Sequence, residues 1–192
     1  AGIRVDPGVD RSVLAYLDEV TDPRYQRVGY GSREDAGLKI VVPGKNDAYI
    51  NHDTMTAIGI LIQVLLDNRA GAPMLTFQAE LLAQDLPRWD KQHFTNDYYY
   101  WYYGTAALWA LDGPGSAGTA EAKNAARWER WNGALQKALV ATQSGPDAGC
   151  AAGSWDADDR WGFEGGRVYG TALNVLTLQT YTRWSGLLPG KK

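Results

Sequence analysis

Cysteine, phenylalanine and long apolar runs are scarce in this 192-residue sequence, and each scarcity excludes a class of protein. The single cysteine, Cys150, rules out an internal disulfide and a zinc site built from several cysteines. The longest nearly apolar run, residues 58–66, contains Gln63 and is far shorter than the roughly 20 residues that span a bilayer. We therefore expect a soluble protein that is not transmembrane.

A strong charge of either sign is missing as well. The formal net charge is −3 and the pI is about 5.4, so no basic surface indicates a nucleic acid or an anionic membrane as partner. The sequence begins at Ala1 without a methionine or a basic-then-apolar leader, and we interpret it as a mature product or an excised piece. Its localisation stays open between the cytoplasm, a bacterial cell envelope and secretion.

Tryptophan and tyrosine are abundant instead. Eight Trp and eleven Tyr stand against three Phe, and 45% of the residues are hydrophobic while 21% are charged. This composition is typical of a globular domain with a sizeable core. Because indole and phenol rings carry a polar atom that needs a partner when buried, we predict a core that is aromatic and internally hydrogen-bonded.

Apolar spacing and capping residues predict six helices and no convincing strand. Asp53 and Asn96 are interpreted as helix N-caps, and Pro73 as a first-turn proline. Residues 38–42 are the one short strand candidate, and residues 1–50 form a less regular lead-in to a single domain, 1–192. The predicted class is all-α, with helices over residues 9–20, 54–67, 73–86, 96–111, 123–143 and 169–184.

Three of these helices carry the same Thr-Ala pair, which indicates an internal repeat. The second and third copies share the longer match Tyr-Gly-Thr-Ala, at 103–106 and 169–172. One other helix lies between successive copies, so the pattern predicts repeats of two helices each. The three pairs are Thr56-Ala57, Thr105-Ala106 and Thr171-Ala172.

Six consecutive aromatic residues, 98–103, project in every direction around the helix over 96–111. A helix that is apolar all round has to be enclosed all round. We predict that it is an inner helix of a two-layer arrangement, in which small Thr, Ala and Gly residues let neighbouring backbones approach. The helix over 123–143 is interpreted as an outer helix because it carries a charged face of Lys123, Arg127, Glu129, Arg130 and Lys137.

Gln143, near the end of that outer helix, and the following Gly153-Ser154-Trp155 resemble the QW motif of squalene and oxidosqualene cyclases. Residues 153–184 resemble the last repeat of bacterial prenyltransferase and squalene-oxidase repeat proteins, above all planctomycete-type members of unassigned function. The resemblance covers residues 51–184 and implies an α/α toroid, in which a Gln ending an outer helix meets a Trp from the next loop. With three inner helices, we expect a partial toroid of about three inner/outer hairpins, as the C-terminal part of a longer protein or as an assembling subunit.

The residues Asp-Ala-Asp-Asp at 156–159 spell the DxDD general-acid motif of class II terpene cyclases. Their chemistry needs a carboxylic acid that its surroundings keep protonated and aim into an apolar cavity. In the family the motif leads straight into the inner helix, whereas here Thr171 lies twelve residues after Asp159, and Arg160 would favour ionised carboxylates. We interpret the run as a solvated turn and keep as weak catalytic candidates Asp156, Asp158 and Asp159.

No metal and no cofactor is predicted. A calcium loop starting at Asp156 would need a bidentate Glu where Arg167 stands. Protein prenyltransferases on this fold hold zinc with Asp, Cys and a later His, but no His follows Cys150, which we interpret as a small hydrophobic residue. Residues 43–47 lack the spacing of a phosphate loop.

Parallel inner helices would bring their N-termini together at one mouth of a central space, where helix dipoles leave partial positive charge. We expect any ligand site at this mouth. Asp53 and Asp97 are interpreted first as capping residues, and His52 first as a structural histidine. The residues assigned to the mouth or to the aromatic wall behind it are His52, Asp53, Asp97, Tyr98, Tyr100, Trp101, Tyr103, Glu164, Arg167 and Tyr169.

The leading functional hypothesis is a non-catalytic α/α-toroid module that binds a protein or other partner through an aromatic concave face. The catalytic signatures of the fold are absent or displaced, so we lean against an enzyme. One alternative is a terpene cyclase-like enzyme that acts on an isoprenoid with an Asp general acid. Another is a module that binds a carbohydrate or a peptide on its clustered Tyr and Trp rings.

Overall fold

The structure is a computed structural model that describes residues 6–35, 40–67, 72–114 and 122–183. These residues form seven α-helices and one 3₁₀ helix, Pro146–Ala151, and they contain no β-strand beyond an isolated bridge between Thr21 and Val28. The fold is all-α, as predicted. The α-helices are α1 (Pro7–Val20), α2 (Thr54–Asp67), α3 (Pro73–Gln84), α4 (Tyr98–Asp112), α5 (Ala122–Val140), α6 (Gly162–Leu178) and α7 (Thr180–Arg183).

Several helix bounds differ from the prediction, including the starts of α1, α4 and α6. Of the two residues interpreted as caps of α4, Asp97 is the cap and Asn96 is not: the Asp97 carboxylate accepts the Tyr100 N–H at 3.0 Å, while Asn96 accepts from the Asp90 N–H. Helix α6 begins at Gly162 instead of residue 169, although Gly166 interrupts its helical backbone with a φ of 59°. Three of the five residues of the predicted strand, 40–42, are irregular, and the other two lie outside the described residues.

Helix α4 lies at the centre of the molecule. It packs between α2 and α6 and also against α5. Helix α3 packs against α2 and contacts α5 as well. From Gly104 to Asp112 every residue of α4 is buried. Helix α4 thus has α2 and α6 as neighbours, while α3 packs mainly on α2 and α5 mainly on α4, and the toroid arrangement stays a prediction.

Two helices, α4 and α6, are less completely buried than predicted. In the first half of α4, Tyr98, Tyr100 and Trp101 are buried, whereas Tyr99, Tyr102 and Tyr103 lie edge to face in a partly exposed cluster. Helix α6 has an exposed apolar face that includes Val168, Ala172 and Val175, so it is not enclosed all round. Cys150 is also exposed, against our interpretation of it as a packed hydrophobic residue.

The threonine of each repeated Thr-Ala pair accepts a hydrogen bond from a different chain segment. Thr56 accepts the Val28 N–H at 3.1 Å, Thr105 accepts the Trp131 indole N–H at 3.0 Å, and Thr171 accepts the Trp155 N–H at 3.2 Å. The repeated position thus fixes each helix of the inner layer to its neighbours through one side-chain oxygen.

The end of α5 and the loop after it are joined by the residues that resemble a QW motif. The Gln143 amide donates to the Gly153 carbonyl at 2.8 Å, and the Trp155 ring is buried and donates its indole N–H to Leu139 O at 2.8 Å. The helix end and the aromatic loop residue therefore meet, although the glutamine bonds to the loop backbone and not to the tryptophan ring.

Arg127 does not belong to the charged outer face of α5 on which we placed it. Its guanidinium is buried and binds both carboxylate oxygens of Asp112 at 2.7 and 2.8 Å, and it also donates to Glu80 at 2.9 Å. Two-point binding of this kind is the strongest geometry for an arginine and a carboxylate. The pair fixes the end of α4 to α5 and α3, while Glu129, Arg130 and Lys137 are exposed.

Two glycines on facing helices should respond oppositely to alanine. A Cβ at Gly104 would lie 2.6 Å from the buried Trp131 ring, whereas a Cβ at Gly133 would meet nothing within 4 Å. We expect Gly104→Ala to lower the free energy of unfolding by about 1–2 kcal/mol through overpacking, and Gly133→Ala to raise it by about 0.5–1 kcal/mol through helix propensity. Urea unfolding measures both, and an unchanged Gly104→Ala variant would contradict the packing described.

Candidate functional site

A cavity of about 340 Å³ lies where α2 and α4 begin and where the chain enters α6. Its wall is mostly apolar and aromatic, with a few polar groups that converge on it, which is the usual composition of a small-molecule site. The residues that line it are Tyr30, Ile40, Asn51, His52, Thr54, Met55, Asp97, Tyr99, Arg160, Trp161 and Tyr169.

Asp97 contributes a buried carboxylate to the cavity wall. One of its oxygens caps α4, and the other lies 3.8 Å from a terminal nitrogen of Arg160. Burial raises the pKa of Asp97 despite the charges of His52 and Arg160 and the bonds from the helix N–H groups. A capping carboxylate of this kind keeps acceptor capacity for a further donor, because two oxygens offer about four lone-pair sites.

Arg160 holds the lead-in loop against the cavity. Its guanidinium donates to Ile50 O at 2.8 Å, to Asn51 Oδ1 at 3.2 Å and to Tyr49 O at 3.4 Å. These bonds join positions more than 100 residues apart in sequence. Arg160 therefore does not serve to keep its neighbouring aspartates ionised, as the sequence led us to expect, but to position one wall of the site.

Asp159 is buried, so the interpretation of residues 156–159 as a solvated turn is wrong at this position. One oxygen of its carboxyl accepts from the Tyr98 N–H and the Tyr169 hydroxyl, both at 3.3 Å, and the other has no hydrogen-bond partner. Burial, with the charge of Asp97, raises the pKa of Asp159 to about 7. A buried acid near half-ionisation at neutral pH is a marker of functional sites.

The other two acidic residues of the run fit the solvated interpretation. The Asp156 carboxylate pairs with Arg167, and the Asp158 carboxylate pairs with Lys91. Both side chains are more than one-third exposed. Asp159 itself does not line the cavity among the described residues; it lies behind Tyr169, which does.

His52 is held from both ring nitrogens. Nδ1 lies 2.5 Å from Asp85 Oδ2 and Nε2 lies 3.2 Å from Thr95 O, while the ring stacks on Tyr100 with a centroid separation of 4.6 Å. Both partners offer acceptor oxygens, so the protonated ring can satisfy both bonds by donating from each nitrogen. Burial disfavours that charge, but the bond to Asp85 and the charge of Asp97 outweigh it and raise the pKa of His52. His52 is therefore engaged through both ring nitrogens and is not a free general base.

The structure brings three of the predicted mouth residues, His52, Asp97 and Tyr169, to one cavity. Of the others, Asp53 pairs with Arg27 on a neighbouring surface, and Glu164 is exposed. Arg167 bonds the loop at Ser154 and Asp156. The aromatic residues of the predicted wall lie in the core or beside it: Tyr98, Tyr100 and Trp101 are buried, and Tyr103 packs against Tyr99.

Several cavity residues were not anticipated. Trp161 could have been found from its position two residues after the acidic run, and Tyr99 from its place in the aromatic helix. Tyr30, Ile40 and Met55 come from the lead-in and from the first turn of α2, and no local pattern marks them. They reach the site through the packing of the lead-in against the helix ends.

Comparison of the chain with protein-family models, with curated proteins and with solved structures gave no match. The resemblance to cyclase-type repeats therefore stays a prediction. None of the helices in the described part of the chain has the length and apolar character required to cross a membrane. Across the same residues, no three His, Cys, Asp or Glu side chains come together as metal ligands.

The imidazolium of His52 should make stability depend on pH. Because its pKa is raised in the folded state, its contribution is complete below the unfolded value of about 6.5 and is lost as the pH rises through the folded value. We expect the stability advantage of the native chain over His52→Gln to be larger at pH 5.5 than at pH 9, as measured by thermal unfolding. His93→Gln serves as the control because its ion pair with Asp90 lies on the surface, where such pairs contribute little to stability, and equal behaviour of the two variants would contradict the assignment.

Asp159 should destabilise the fold at neutral pH. Because burial raises the pKa of Asp159 to about 7, the protonated carboxyl is favoured in the folded state. The free energy of unfolding is therefore highest below the unfolded pKa of about 3.9, and it falls as the pH rises to about 7. Asp159→Asn should therefore raise the free energy of unfolding at pH 8 by on the order of 1–2 kcal/mol and give no gain at pH 3.5. Asp158→Asn, on the surface of the same loop, should change it little. A loss of stability in Asp159→Asn at pH 8 would sink this account.

Proposed function

We propose that this chain is a non-catalytic binding module of the α/α-toroid type, with about three inner/outer hairpins. The module holds its partner in the cavity where α2 and α4 begin. The observation that carries the proposal is the cavity itself: an aromatic and apolar wall into which Asp97, His52 and Arg160 converge from three chain segments. The partner is a small molecule or a protruding group of a larger one, because the site is a cavity and not an open concave face.

The layered packing supports the toroid part of the proposal. Helices α2, α4 and α6 are neighbours in sequence order, and α3 and α5 lie outside them. Each repeated threonine accepts a hydrogen bond from outside its own helix, although Thr56 is the third residue of α2, Thr105 the eighth of α4 and Thr171 the tenth of α6. Gln143 also donates to the backbone of the loop that carries Trp155, at Gly153, although not to the tryptophan ring.

Three features favour binding over catalysis. Both nitrogens of His52 are engaged, so the ring has no nitrogen left for a substrate. Asp156 and Asp158 form surface ion pairs. Asp159 is separated from the cavity by Tyr169. A general acid needs hydrogen-bond reach of the atom that it protonates.

One observation favours an enzyme as the second candidate. Asp159 is a buried carboxyl with a pKa of about 7, and an acid of that strength is suited to proton transfer at neutral pH. In such a terpene cyclase-like enzyme, Tyr169 would carry the proton from Asp159 to the cavity. Turnover of an isoprenoid such as squalene that Asp159→Asn abolishes would favour this candidate over the binding module.

A matched pair of methionines tests the cavity as the binding site. Met55 lines the cavity at the second residue of α2, and Met74 occupies the second residue of α3 outside it, with both side chains half-buried. The uncharged fluorescent probe N-phenyl-1-naphthylamine should bind the native chain and Met74→Trp with similar affinity. Met55→Trp should weaken binding at least about tenfold, because the indole occupies the space of the probe.

Thermal unfolding of both tryptophan variants checks that they fold. If Met55→Trp is folded and binds the probe as tightly as Met74→Trp does, the cavity is not the site. Absence of probe binding to the native chain would also count against the proposal, since an apolar cavity of about 340 Å³ accommodates small aromatic molecules.

A further inference from the structure

Resting on the proposed function, we infer that the cavity takes a ligand with a positively charged, ammonium-type head, held between Asp97 and the rings of Tyr99, Trp161 and Tyr169. The inference concerns the charge of the ligand, which the proposed function leaves open. Its basis is the balance of buried charge, the aromatic wall and the engagement of the cations nearby.

The buried charges around the cavity lack one positive partner. His52 lies 2.5 Å from Asp85, and a terminal nitrogen of Arg160 lies 3.8 Å from Asp97. Asp159 forms no ion pair with a cation among the described residues, and one of its oxygens has no hydrogen-bond partner. Since buried charges are costly unless they are paired, a cation in the cavity would complete the balance.

The aromatic lining suits such a head. Tyr30, Tyr99, Trp161 and Tyr169 all line the cavity, and the face of a tyrosine or tryptophan ring attracts a cation. Quaternary ammonium groups are recognised in cages of this composition, where desolvation strengthens the attraction. Tyr169 connects the cavity to the Asp159 carboxyl through its hydroxyl, at 3.3 Å.

An anionic head finds few donors in the same cavity. The terminal nitrogens of Arg160 are bonded to the backbone at 49–50 and to Asn51, and its Nε is buried without a partner. The two N–H groups of His52 point to Asp85 and Thr95. The two cations beside the site therefore donate mostly to protein acceptors, and of the five N–H groups of Arg160 only the buried Nε–H and one terminal N–H remain for a ligand.

Three probes of one shape and different charge separate these possibilities. Choline carries the cation, 3,3-dimethylbutan-1-ol is its uncharged carbon analogue, and 3,3-dimethylbutanoate carries an anion. We expect choline to bind the complete chain at pH 8 on the order of tenfold more tightly than the alcohol, and the carboxylate to bind weakest. NMR titration that follows the indole N–H of Trp161 measures all three.

Asparagine variants locate the charge that is responsible. Asp97→Asn keeps a good N-cap and should reduce choline affinity about tenfold without changing the affinity for the alcohol. Asp159→Asn should reduce choline affinity by a smaller factor, because that carboxyl lies behind Tyr169. Asp158→Asn removes the same formal charge from the exposed side of the loop and should leave choline affinity unchanged.

The outcomes distinguish this inference from the function on which it rests. Equal affinity for choline and the alcohol, or preference for the carboxylate, overturns the inference and leaves the binding module standing. Failure of choline, the alcohol and N-phenyl-1-naphthylamine alike to bind overturns both. A choline affinity that Asp97→Asn and Asp158→Asn change equally would show that the selectivity arises from net charge and not from the cavity, and would also overturn the inference.

Discussion

Helix α4 has buried charged residues at both ends, and the rest of the structure depends on how these are satisfied. A helix enclosed by its neighbours cannot rely on water for its terminal N–H and C=O groups. At its start, Asp97 accepts from the first turn, and at its end the Asp112 carboxylate is held by the Arg127 fork, which also reaches Glu80. Helices α2, α5 and α6 pack on a central element whose position these bonds fix, and the cavity forms at the end where Asp97 lies.

At the start of α4, residues that hold the fold together also form the wall of the cavity. Arg160 fixes the lead-in loop, Asp97 caps the helix, and His52 joins Asp85 to the backbone at Thr95. The arrangement leaves Asp159 as the group with the least compensation, and an isolated buried carboxyl works against folding at neutral pH. Natural sequences tend to break local rules of this kind at functional sites. The binding module and the enzyme make different use of the same carboxyl, as an electrostatic attraction or as a proton source.

The helices were largely predictable from sequence, because caps and apolar spacing are local. Helix α2 begins directly after Asp53, and α1 ends at Val20, as the pattern indicated. The choice between Asn96 and Asp97 as cap depended on Asn96 being used by the loop at Asp158, which no local signal shows. The burial of Asp159 and Arg127 was missed for the same reason: both look like surface residues in their own segments, and contacts far away in sequence bury them. The cavity was predictable in its location at the helix starts, but not in its wall from the lead-in.

The repeated threonine contacts bear on how such an array could grow. Thr56, Thr105 and Thr171 each bring an oxygen that receives an N–H from outside their own helix, and in two cases the donor is supplied by the outer helix or the loop that follows it. A segment that runs from the Trp155 loop through α6 contains both the donor and the acceptor of the Thr171 bond, so each copy of it would contain the complete bond. Such copies could diverge in the loops at the cavity end while this bond is kept.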